Sequence, residues 1–239
     1  MGLVTPAVLP SSQKDLEEKV ALFAHFPKVS RIQIDVVDGK FATPASWPYT
    51  APAELKRMVA QGEMLPRLDC IEYEVDLMCL DAERAAAHWL ALGATRLTFH
   101  AESSTDLPRL LAAARKRFGA GDGFASGLIS YGLAINIASD LALLEPCLGE
   151  IEYVQFMGIA RIGRQGQPFD KRVFEKIRVF HKKHPDMPLQ VDGGVSSANA
   201  RELTALGVST LVVGSGILKA SDPAKALAEL EKLESPYGV

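Results

Sequence analysis

The sequence predicts an α/β chain folded as one (β/α)8 barrel over residues 1–239, and three observations carry that prediction. Eight short apolar runs alternate with eight amphipathic stretches, and strands separated by helices of this length pair in parallel through crossovers. No composition break or long linker divides the chain. Its 239 residues lie close to the ~250 typical of such barrels. A doubly wound open sheet is the competing architecture. It fits less well, because no GxGxxG turn follows the first run and eight equal units leave no obvious edge strand.

LVTPAVL (3–9) is apolar and β-branched and reads as the first strand. SSQKDLEEKVALFAHF follows, with Ser and Gln near its start and a helical stripe at Leu16, Val20, Leu22 and Phe23. In RIQIDVV (31–37), Ile32, Ile34 and Val36 alternate with Gln33, Asp35 and Val37, and the run breaks at Asp38-Gly39. Aspartate is depleted in strands, so Asp35 marks either a solvated face or chemistry at the strand's end. APAELKRMVAQG is a helix with a glycine stop. CIEYEVDLM (70–78) precedes LDAERAAAHWLALG, and TRLTFHA (95–101) precedes STDLPRLLAAARKRFG. The loop AGDGFASG leads to LISYGLAIN (128–136), and ASDLALLEPCLG is expected to be the helix behind it. YVQFM (153–157) and DKRVFEKIRVFHKKHP form the sixth pair. PLQVD (188–192) pairs with GGVSSANARELTALG, and STLVVG (209–214) with SGILKASDPAKALAELEKLE.

Hydrophobic content of 48% and charged content of 23% are those of an ordinary globular protein. The net charge of −3 provides no basic surface for nucleic acid. MGLVTPAVLPSSQ lacks a basic segment followed by an apolar one, so no secretory signal is expected. No apolar run approaches the ~20 residues that span a bilayer. Cys70, Cys79 and Cys147 are odd in number and have no CxxC spacing, which fits buried thiols in a reducing cytoplasm. The expectation is a soluble cytoplasmic protein with no membrane or nucleic-acid partner. An exposed helical face is expected to pair copies in a homo-oligomer, with no face singled out.

Functional residues of (β/α)8 barrels gather where strands end and the following loops begin. Asp35 and Asp38 lie there on strand 2, Asp76 on strand 3, His100 on strand 4, Asn136 on strand 5, Met157 on strand 6 and Asp192 on strand 7. Asp38, followed by Gly39, reads first as a turn cap. Asp76 reads equally as a bridged carboxylate, and His100 equally as a satisfied core histidine. Asp35 and Asp192 each follow an apolar strand, where an isolated carboxylate is costly to desolvate, and they are the candidates for chemistry. VDGGVSS (191–197) and VVGSGI (212–217) follow the last two strands. Such glycine turns admit a close backbone approach and leave free N–H groups for an anion. Gly193, Gly194, Gly214 and Ser215 are therefore the candidate phosphate site, which barrels of this type commonly build after strands 7 and 8.

Together these motifs resemble the ribulose-phosphate 3-epimerases, a family of ribulose-phosphate-binding barrels. The likeness runs through IDVVDGKF (similar to the family's D-V-M-D-G-x-F), VDLM, LTFHAE, GLAIN, GQPF, QVDGGV and LVVGSGI. The last two are shared with related phosphate-binding barrels, whereas DVVDGKF and HAE point more narrowly to the epimerases. The resemblance implies removal of the C3 proton of D-ribulose 5-phosphate and its return on the opposite face, with Asp35 and Asp192 as acid and base. It also implies a divalent metal on two His and the same two Asp, stabilising the enediolate as it forms.

The chain departs from the family at that metal. Gln33 and Asp76 stand where the histidines belong, giving the set Gln33, Asp35, Asp76 and Asp192. Carboxylate and amide oxygens suit Mg²⁺, Mn²⁺ or Ca²⁺ rather than Zn²⁺ or iron; no organic cofactor is implied. Substrate contacts implied by the resemblance are Ser11 beside Pro10, Met78, Met157, His100, Gly166 and Gln167, with Val37 at the third methionine position. The loop GIARIGRQGQPF adds Arg161 and Arg164, which either meet the phosphate or a second anionic group of the substrate or are solvated cations. Two other readings compete with a phosphosugar epimerase. One is a lyase or decarboxylase on the same barrel, although the Asp-x-Lys motif usual on strand 3 of such relatives is absent, Asp76 having no following Lys. The other is a catalytically silent phosphometabolite-binding protein.

Overall fold

The computed structural model describes residues 3–118 and 128–233; the AGDGFASG loop lies outside the described residues. Eight strands close into a barrel in chain order, all neighbours parallel. They are β1 (Val4–Val8), β2 (Arg31–Val37), β3 (Glu72–Met78), β4 (Arg96–His100), β5 (Ser130–Ile135), β6 (Tyr153–Met157), β7 (Leu189–Asp192) and β8 (Val208–Val213). Pairing of Val4 with Leu211 and of Pro6 with Val213 closes the ring.

Helices α1 (Gln13–Ala24), α2 (Pro52–Gln61), α3 (Ala82–Ala91), α4 (Leu107–Phe118), α5 (Arg172–Lys183), α6 (Ser197–Ala205), α7 (Ser215–Leu218) and α8 (Pro223–Glu231) connect or follow the strands. Ser12 caps α1 by accepting from Asp15 N at 3.1 Å. Gly62 ends α2 in the left-handed region at φ 65°. Two predicted elements differ. The segment after β5, expected to be one α-helix, forms 3-10 helices at Leu141–Leu143 and Glu145–Glu150. Pro146 has no N–H to give the carbonyl four residues back, so an α-helix cannot run through the segment. The final stretch, expected to be a single helix, splits into α7 and α8. Asp222 accepts from Lys225 N at 2.9 Å and Pro223 occupies the first turn, which together start a new helix. None of the described helices is long and apolar enough to cross a membrane.

Closure gives the strands two buried faces. Ile32, Ile34 and Val36 join the apolar layer under the helices, where Trp47 and Trp89 meet edge-on at 5.8 Å. Gln33 and Asp35 face the barrel axis, which answers why an acid sits in this strand: its polar side is interior, not solvated. The axis is filled with polar groups at matching parity, including Glu74, Asp76, Thr98, His100, Gln155, Gln190 and Asp192, all buried. At the lower end Glu74 accepts from Arg96 Nε at 3.0 Å, and the Arg96 guanidinium lies 3.9 Å from the centre of the Tyr153 ring. Tyr153 fits because β5 offers a glycine beside it. A Cβ on Gly132 would lie 2.2 Å from the ring.

Candidate active site

At the upper end of the barrel, strand register brings three acids together. Asp35 pairs with Asp76 across β2 and β3, and Asp192 ends β7 beside Met157 of β6. One carboxylate oxygen from each of Asp35, Asp76 and Asp192 lies within 4.8 Å of the others. The Gln33 side chain reaches up between two of them, donating from Nε2 to Asp35 Oδ1 at 2.8 Å and to Asp192 Oδ2 at 3.1 Å. Asp76 is bridged, accepting from Gln155 Nε2 at 3.0 Å and facing His100 Nε2 at 2.8 Å.

The electrostatics follow from this crowding. Burial, then repulsion from Asp192 and Asp76, holds the Asp35 carboxyl well above the usual range, against the donors Gln33 and Gln165. Burial and the Asp76 charge push Asp192 up to about 7. The two acids act on one another and titrate as a pair. Burial disfavours a charged His100, but Asp76 outweighs it and its pKa is raised. His100 Nδ1 has no hydrogen-bond partner among the described residues, and the ring packs against Phe41 with centroids 5.3 Å apart.

A cavity lies over these acids, lined by Asp35, Asp192, Met78, Met157, Arg164, Gln165, Gly166 and Gln167. Gly193, Gly194, Gly214 and Ser215 form its other wall. The glycine turn after β7 is left-handed, with φ of 101° at Gly193 and 68° at Gly194. A Cβ on Gly194 would sit 2.7 Å from the Phe169 backbone, so glycine lets the loop after β6 press against it. Arg164 donates to the Thr43 carbonyl at 3.0 Å and has no carboxylate partner among the described residues.

Of the residues expected at the site, Gln33, Asp76, Ser11, His100 and Arg161 are absent from this cavity wall. Ser11 precedes the α1 cap, its N and Oγ both donating to Asp15 Oδ2, at 2.7 and 3.0 Å. Asp38 organises its turn, accepting from Lys40 N and Phe41 N at 2.7 Å and from Leu80 N at 2.9 Å. Sequence reasoning missed Gln165, which lies on the cavity wall with Asp35 and donates to the Ala7 carbonyl at 3.3 Å from a loop without periodicity. It also missed Glu74, Gln155 and Gln190. Glu74 stands two residues before Asp76, Gln155 two before Met157 and Gln190 two before Asp192, a strand spacing that puts each on the same inner face.

The acid cluster stands at the C-terminal mouth of a (β/α)8 barrel, beside glycine turns after the last two strands, the end at which enzymes of this fold carry their sites. Comparison with known proteins is more specific. The model of the ribulose-phosphate 3 epimerase family matches residues 3–218, and the chain belongs to that family. Ribulose-phosphate 3-epimerase of Escherichia coli strain K12 is 26% identical over 232 residues, covering 95% of this chain and 94% of that one. The chloroplastic ribulose-5-phosphate-3-epimerase of Arabidopsis thaliana is 26% identical over 243 residues, covering 99% and 79%. Among solved structures, a ligand complex of KGPDC from Streptococcus mutans superposes with a TM-score of 0.67 at 15% identity, covering 96% of this chain and 95% of that one. A 3-hexulose-6-phosphate synthase gives 0.65 at 20%, covering 98% and 99%. These structural likenesses speak to the barrel alone.

Three clustered carboxylate oxygens are a donor set that fits a hard divalent cation. Gln33 is turned the other way: it offers Asp35 and Asp192 its amide nitrogen, whereas a ligand has to present Oε1.

Proposed function

We propose that the protein is a sugar-phosphate epimerase that inverts C3 of a ketose phosphate of the D-ribulose 5-phosphate type, with Asp35 and Asp192 as acid and base. The observation that carries this reading is the buried acid pair beneath one cavity, in a chain of the epimerase family. Burial and mutual repulsion favour one proton shared between the two. A pair in that state offers one carboxylate and one carboxylic acid. The carboxylate takes the C3 proton from one face of the sugar, and the acid returns a proton to the other, leaving the pair with its proton on the opposite partner. Gly193, Gly194, Gly214 and Ser215 receive the phosphate through backbone N–H groups, with Arg164 approaching from the loop after β6. Asp35, Asp76 and Asp192 would hold Mg²⁺, Mn²⁺ or Ca²⁺, and such an ion supplies charge neutralisation for an enediolate.

The test is incubation of D-ribulose 5-phosphate with the protein in D₂O, followed by NMR, with EDTA and with added Mn²⁺. Deuterium should enter C3 as D-xylulose 5-phosphate forms. Asp35→Asn and Asp192→Asn should each slow this by about 10²- to 10⁴-fold. Exchange that survives both substitutions removes the assigned roles. Cleavage of a carbon–carbon bond without C3 exchange replaces the epimerase by a lyase.

A further inference from the structure

We infer that Glu74, at mid-depth in the barrel, is a positioning residue that fixes the direction of three glutamine amides and so points two NH₂ groups at the aspartates above. The inference builds on the reading of Asp35 and Asp192 as acid and base.

Glu74 is ion-paired with Arg96 through Oε2 and presents Oε1 to Gln190 Nε2 at 2.5 Å. A carboxylate only accepts, so Gln190 must turn its NH₂ group toward Glu74. The same NH₂ group faces Gln155 Oε1 at 2.7 Å and, at a longer 3.3 Å, Gln33 Oε1. Both of those glutamines therefore have their oxygen directed down the axis, and each amino group is directed up. Gln33 spans Asp35 and Asp192, and Gln155 reaches Asp76. Reversing Gln33 or Gln155 would set its oxygen against carboxylate oxygen at the upper end and its nitrogen against the Gln190 NH₂ group at the lower.

The direction is also visible in what is sacrificed. Gln190 Oε1 is buried with no hydrogen-bond partner among the described residues, so the amide is held by its NH₂ end alone, where every neighbour is an acceptor. Carboxylate and amide thus act as a one-way relay from Glu74 through Gln190 to Gln33 and Gln155. Each aspartate meets a fixed neutral donor, and Gln33 serves as a clamp on the acid pair in place of a fourth metal ligand.

Glu74→Gln and Gln190→Leu test the relay, with two readouts. In protein labelled with [¹⁵N]glutamine, the side-chain NH₂ signals of Gln33 and Gln155 should exchange slowly with solvent in the unmodified chain and lose that protection in both variants. In the D₂O assay, kcat should fall about ten- to a hundredfold with KM nearly unchanged, the loss expected for one hydrogen bond to a charged group. The double variant should be no worse than the worse single variant, because both break the same chain. Glu74→Gln strands Arg96 and can fail to fold; Gln190→Leu leaves that ion pair intact. Thr98→Val removes another bond to Glu74, 3.0 Å long, and should lower stability while sparing kcat. Retained amide protection in Gln190→Leu, additive losses in the double variant, or an equal kcat loss in Thr98→Val would overturn the relay. An unmodified protein without C3 exchange refutes the epimerase reading, and the amide signals still decide the relay.

Discussion

Replacing Asp192 by asparagine should make this protein more stable at pH 8 while removing its activity. The Asp192 carboxyl is pushed up to about 7 by burial and by the Asp76 charge, against about 3.9 in an unfolded chain. Between those values the native state keeps a proton that the unfolded state has lost. Stability therefore falls as pH rises through the window from about 4 to about 7, and the full loss is present above it. A shift of about three units at 1.36 kcal/mol each gives roughly 4 kcal/mol as the upper bound. The substituted asparagine has no charge to desolvate, and its amide oxygen can still accept from Gln33. Relief of the repulsion on Asp35 acts in the same direction. Urea unfolding followed by circular dichroism in EDTA, at pH values from 4 to 8, should show the two proteins equal near pH 4. The variant should then pull ahead as pH rises. A gap independent of pH, or a variant less stable at pH 8, would refute the account of Asp192 as a strained acid.

Arg164→Ala should raise KM for the ketose phosphate about tenfold and leave kcat near its starting value, as expected for a cation that contacts the phosphate alone; an unchanged KM in steady-state kinetics makes it a solvated loop residue. Asp38→Ala withdraws the acceptor from Lys40 N, Phe41 N and Leu80 N, and should cost about 1–3 kcal/mol of stability in urea unfolding at pH 7.

The barrel was legible because its strands and helices have different hydrophobic periods, and their strict alternation leaves few topologies. RIQIDVV shows the limit of that reading. The alternation gives two faces, but only closure of the sheet decides that the Gln33–Asp35 face lies inside. Asp35, Asp76 and Asp192 could be placed at strand ends because each terminates or nearly terminates an apolar run. The contact that Asp35 and Asp192 share through Gln33 depends on how closure sets β2 and β7 across the barrel, strands remote in sequence. Gln165 escaped notice because its loop has no period to reveal where a side chain points. The segment around Pro146 was misjudged because its apolar residues suggested a helix, while one missing N–H forces a tighter coil.

The seam between β1 and β8 has a temporal consequence. Val4 finds Leu211 only after every intervening strand has been made. At ribosomal speeds of about 5–20 residues per second, the first strand waits on the order of 10–40 s with one edge unmated. An unmated edge is a template for the wrong partner. During synthesis, the hazard for this protein is set by the arrival of its last strand, and any pause late in translation prolongs it.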